Sequence, residues 1–72
     1  MKRFVITAES DLMEVELRTN DWNEACEIFQ DLCGKEDTYA VDFYDGETGE
    51  LYAYQKVEKS PYGITATRWV AR

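Results

Sequence analysis

Histidine is absent from all 72 residues. Its absence removes the commonest general base near neutral pH and the commonest nitrogen ligand for zinc. Cysteine occurs twice, at Cys26 and Cys33, too few for a closed four-ligand site without carboxylate help. No apolar run approaches the roughly 20 residues that span a bilayer. The apolar stretch after Lys2 and Arg3 is short, and Glu9 and Asp11 end it, so it reads as a strand rather than an export signal. Glycine-rich phosphate loops and nucleophile elbows are missing, and Ser10 and Ser60 have no histidine to activate them. These gaps argue against an enzyme, and no cofactor and no metal are expected. Cysteine without a secretion signal points to a reducing interior, with the cytoplasm as the default.

Basic residues are scarce where acidic ones are dense. Fourteen of the fifteen carboxylates lie between Glu9 and Glu50, with only Arg18 and Lys35 among them. That window carries −12 and the remainder +5, which the net −7 conceals. Such asymmetry steers partners more than it specifies a fold. Size and acidity of this kind are associated with bacterial and mobile-element proteins. The apolar content of 44% is too rich for a disordered acidic tail. A chain this short makes one domain, 1–72, with a core that leaves about 3–5 kcal/mol of net stability. Self-association as a homodimer is one way such chains gain more.

The pattern predicts ββαβββ, an α+β fold with one helix packed on one face of an antiparallel sheet of five strands. Phe4, Ile6 and Ala8 alternate along a first strand; Met13, Val15 and Leu17 alternate with Glu14, Glu16 and Arg18 along a second. Asp21 with Glu24 has capping-box spacing. Trp22, Ala25, Cys26, Phe29, Leu32 and Cys33 then fall on one helical stripe, with Ile28 at its edge. Gly34 is expected to end the helix in the left-handed conformation. Strands follow over 39–44, 50–57 and 64–70, separated by turns at 45–49 and 60–63. The phase of the last two strands is open. Leu51, Ala53 and Val57 inward would leave Tyr52, Tyr54 and Lys56 outside; the reverse is also consistent with the pattern.

Helix geometry places Cys26 and Cys33 about 10 Å apart along the axis, beyond disulfide reach. Both read as small buried hydrophobes. The pairs Glu14/Glu16 and Glu27/Asp31 fall on solvent faces and read as a solvated surface rather than an acid–base pair. Asp42, Asp45, Glu47 and Glu50 lack the ligand spacing of a calcium loop.

Binding is therefore the expected role, with a protein partner of unspecified identity or a second copy of the chain, and no membrane. The leading surface is an aromatic outer sheet face of Tyr44, Tyr52, Tyr54 and Trp69, with Arg68 beside it, residue types enriched at interface hot spots. The alternative is an acidic face of Glu14, Glu16, Glu24, Glu27 and Asp31 that mimics nucleic acid and blocks a basic nucleic-acid-binding partner. A weaker alternative is direct nucleic-acid binding through Tyr52, Tyr54, Lys56, Lys59, Tyr62, Arg68, Trp69 and Arg72, which the net charge opposes.

Overall fold

A computed structural model describes residues 2–71. The order is ββαβββ: β1 Phe4–Ser10, β2 Glu14–Thr19, α1 Trp22–Cys33, β3 Thr38–Asp45, β4 Leu51–Ser60 and β5 Gly63–Val70. The strands form one open antiparallel sheet in the order β2-β1-β3-β4-β5. No helix among the described residues is long and apolar enough to cross a membrane.

Each element follows from its local sequence. β1 and β2 form a hairpin whose turn is closed by Ser10 N–H donating to the Met13 carbonyl at 2.9 Å and Met13 N–H donating to Ser10 Oγ at 3.2 Å. Met13 therefore lies in the turn, and the strand starts at Glu14. Asp21 caps α1, accepting from the backbone N–H groups of Asn23 and Glu24. These are donors that the first helical turn leaves without partners. Gly34 corrects the expected left-handed stop. It has φ −81° and ψ −6°, a right-handed conformation, and its N–H still donates to the Gln30 carbonyl. Lys35 N–H then donates to Leu32, and Thr38 N–H to Lys35. The chain unwinds through successive right-handed turns rather than reversing at a glycine.

The core lies between α1 and the middle of the sheet. Ile6, Ala8, Val41, Phe43 and Ala53 face Ala25, Phe29 and Leu32 across it. At the helix N-terminus the rings of Phe4, Trp22, Phe43 and Tyr52 cluster, edge to face except for a tilted Trp22–Phe43 pair, with centroids 5.0–6.2 Å apart. Such contacts add about 0.5–1.5 kcal/mol per pair beyond burial. Trp22 joins this cluster while remaining 46% exposed, because it opens the helix and overhangs the body. Cys26, Ile28 and Cys33 are half-buried at the stripe's margins.

The β3–β4 pairing contains a bulge. Phe43 pairs with Ala53 but Tyr44 with Leu51, so Tyr52 is an extra residue without an opposite number. A bulge breaks alternation and re-aims a side chain. Here it turns Tyr52 to the helix side beside Ala53, where Tyr52 joins the ring cluster. Neither of the two strict phases is adopted along all of β4.

Candidate interaction surface

Geometry sets how much sheet one helix can cover. A helix is about 10 Å wide with its side chains, and strands lie about 4.8 Å apart, so α1 shelters two or three of five strands. Its main packing is against β3, β1 and β2. Consequently the β4–β5 ribbon extends beyond the helix. Every residue of β5 is exposed, as is the end of β4 from Glu58 to Ser60. Ile64 is 70% exposed, Val70 60%, and Tyr62, at the ribbon's tip, 99%.

The register assigns a face to each ribbon side chain. Asp42, Tyr54 and Trp69 lie opposite one another on the open face, away from the helix. Tyr44, paired with Leu51, shares that face. The Tyr54 and Trp69 rings stack, with centroids 6.0 Å apart and planes at 21°. Lys56 Nζ sits 5.9 Å from the Tyr54 ring centroid, within range of a cation–π attraction.

Of the expected aromatic set, Tyr54 and Trp69 stack on each other and Tyr44 shares their face. Two residues are elsewhere. The bulge places Tyr52 in the ring cluster under the helix, so it is removed from the outer face. Arg68 is opposite Gln55, on the helix side. Its Nε donates to Gln55 Oε1 at 3.0 Å and its guanidinium lies 5.9 Å from the Phe29 ring centroid. Gln55 Nε2 in turn donates to the Cys33 carbonyl at 3.1 Å. Arg68 thus tethers β5 to the helix rather than lining the aromatic face.

The acidic set divides. Glu14 and Glu16 extend from the open face of β2, where Arg18 Nε donates to Glu16 at 3.2 Å. Glu24, Glu27 and Asp31 are exposed on the helix, on the other side of the sheet. The aromatic-basic set is also split: Lys56 is on the open face, Lys59 on the helix side, and Tyr62 at the tip. Arg72 lies outside the described residues.

Sequence reasoning missed two features. One is a polar cluster built on Asp45, which is fully buried. One carboxylate oxygen accepts from Arg3 Nε at 2.7 Å and Tyr52 Oη at 2.9 Å; the other accepts from the Glu47 and Thr48 backbone N–H groups. The Arg3 hydrogen bond holds the Asp45 carboxyl far below the usual carboxylate range, and the backbone and Tyr52 donors add to this against the opposing effect of burial. Burial, then the Asp45 hydrogen bond, pushes the Tyr52 hydroxyl up. Both oxygens already have protein donors, so the cluster ties β1, β3 and β4 together and offers no free group for acid–base work. An aspartate opening a turn is legible in sequence; its burial depends on Arg3, 42 positions away.

The second is a cleft of about 170 Å³ between the N-terminal half of α1 and the end of β5. Trp22, Cys26, Gln30, Tyr52, Arg68 and Val70 are among its walls. Burial pushes both the Cys26 and the Cys33 thiol up, a direction that disfavours the reactive thiolate.

The fold is thus an α+β sheet with an uncovered ribbon. The chain matches no protein-family model, no curated protein and no solved structure.

Proposed function

We propose that this protein is a non-enzymatic interaction module that binds a protein partner through its β4–β5 ribbon. The single observation that carries the reading is that β5 and the outer end of β4 are exposed while holding apolar and aromatic side chains. Ile64 and Val70 stand exposed on the helix side, and the stacked Tyr54 and Trp69 on the open side. Exposed apolar and aromatic groups gathered on one element in this way favour association. The aromatics of the open face remain part of the surface, without Tyr52 and Arg68. The nucleic-acid-mimic reading has less support, because its carboxylates divide between two sides of the sheet. Two unpaired thiols support a reducing, cytoplasmic setting.

Site-directed photocrosslinking in cells producing the protein tests the proposal. A photoreactive residue replaces Tyr54, Thr65 or Trp69 in turn, with Glu27 and Asp31 on the helix as controls. Covalent protein adducts are expected from the ribbon positions. Adducts from the helix positions alone, or from none, would remove the reading.

A further inference from the structure

We propose that the ribbon's occupant is a second copy of this chain, joined by antiparallel pairing of β5 with β5, with Tyr62 of each copy seated in the other's cleft. This rests on the ribbon being the contact surface and adds the partner, the register and the anchor residue.

The two edges of the sheet differ in how they meet a stranger. β2 carries Glu14, Glu16 and Arg18 along its open face, a charged edge of the type that resists pairing with another strand. β5 carries Ile64, Thr65, Ala66, Thr67, Trp69 and Val70 with Arg68 as its sole charge, and Arg68 is drawn toward the helix. Among the described residues β5 is bonded to β4 alone. Ser60 pairs with Gly63 across the Pro61-Tyr62 turn, which makes that pair a hydrogen-bonded one. Antiparallel alternation then aims the backbone groups of Ile64, Ala66, Arg68 and Val70 outward.

Symmetry restricts the register. Residues opposite one another in an antiparallel pair face the same side, so a two-fold contact centres on a residue. Centring on Ala66 sets Ile64 against Arg68 and Trp69 against Gly63. Centring on Thr67 sets Ile64 against Val70, Thr65 against Trp69 and Thr67 against itself, and pairs the outward backbone groups over the whole of 64–70. Apolar meets apolar, and threonines meet directly. The second register is the better match.

That register carries Tyr62 to the cleft. Gly63 of the second copy falls opposite Ala71, and Tyr62 lies one residue beyond, where Val70 and Ala71 border the cavity. Its volume of about 170 Å³ is close to the roughly 150 Å³ of an apolar cavity that holds benzene. A ring that is 99% exposed in one copy thus finds an aromatic-lined recess in the other. Charge favours the approach. The ribbon bears Lys56, Lys59 and Arg68 against a single Glu58, whereas α1 bears Glu24, Glu27 and Asp31 and no basic residue. Attraction between the basic ribbon of each copy and the acidic helix of the other steers the encounter.

Sedimentation equilibrium over a dilution series tests the proposal with four chains: the parent, Ile64→Lys, Tyr62→Ser and Leu12→Ser. Leu12 is 89% exposed in the β1–β2 turn, outside the proposed β5 contact, and serves as control. The parent and Leu12→Ser are expected to dimerise alike. Ile64→Lys should abolish the dimer, and Tyr62→Ser should weaken it by at least roughly tenfold, the loss of one interface anchor. Circular dichroism confirms that each variant is folded. The register has its own readout: Thr67→Cys should form an intermolecular disulfide under mild oxidant, because like residues face each other within about 5 Å. Thr65→Cys, about 13 Å from its counterpart by strand rise, should not exceed the parent. A parent that stays monomeric at every concentration would sink the proposal; if ribbon crosslinks to other proteins persist, the interaction reading survives alone. Dimerisation indifferent to Tyr62→Ser would overturn the seated ring, and cross-linking at position 65 in place of 67 would overturn the register.

Discussion

The covered half of this sheet and its bare half are made of similar strands and differ in what lies over them. β1 and β3 have Ile6, Val41 and Phe43 nearly inaccessible beneath the helix, and β3 ends in a buried aspartate whose oxygens accept from four donors. β5 is as rich in β-forming residues, yet each of its side chains meets water. Strand propensity alone therefore does not make a core; it makes a surface that fits another surface. One half is covered by the chain's own helix, and the other is left open to solvent.

The hardest test of that contrast is one truncation in each half. Phe29 is 6% exposed and sits between the helix and Phe43. Phe29→Ala should cost about 3–5 kcal/mol, comparable with the whole stability of a domain this small. The variant should be largely unfolded by circular dichroism. Trp69→Ala removes a ring of greater size, but one that is 43% exposed and held by a single stack. It should cost about 1 kcal/mol and leave a cooperative urea transition. Equal losses for the two variants would erase the distinction between the halves.

A middle-sized effect resides in the Asp45 cluster and sharpens the contrast through pH. The folded-state pKa of Asp45 lies well below its ordinary 3.8. The stability it confers is complete above that ordinary value and drains away as pH falls below it toward the folded one. Denaturant melts should therefore show the parent losing stability from about pH 5 downward. Asp45→Asn, weaker at neutral pH, should show a flatter acid limb, since its amide does not titrate. Parallel acid limbs for both chains would mean the Arg3 contact does not govern the titration. The same cluster places Gly46 against β1. A Cβ there would meet Val5 Cγ2 at 2.9 Å and the Arg3 carbonyl at 3.1 Å, and Gly46 N–H donates to that carbonyl.

Patterns with a short period were legible in the sequence. The helix over Trp22–Cys33, its Asp21 cap and the alternation of Phe4, Ile6 and Ala8 depend on neighbours a few residues apart. What escaped reading is set by distant partners. Tyr52 leaves the outer face because one extra residue is accommodated opposite Phe43 and Tyr44, and no local signal marks a bulge inside Leu51–Ser60. Arg68 turns to the helix because it is in register with Gln55 and lies over Phe29. Gly34 stays right-handed because turns at Lys35 and Thr38 continue the helical sense. The split of the acidic set needed only one further step: strand and helix carboxylates face opposite sides once the helix lies on the face that Leu17 and Val15 share.

The smallest expected effect is on the helix's outer side, and it is the most sensitive check that this side faces only solvent. Glu27 is exposed and stands one turn before Asp31, a like-charge pair at i, i+4. Glu27→Gln should change stability by less than about 0.5 kcal/mol, in the stabilising direction at low salt, where repulsion between the two is least screened. The gain should vanish at high salt. The measurement belongs at high dilution, so that contacts between copies do not enter the melt. A loss above about 1 kcal/mol there would mean that Glu27 has a structural partner within the chain, and that the acidic helix face, and not only the ribbon, has a contact to satisfy.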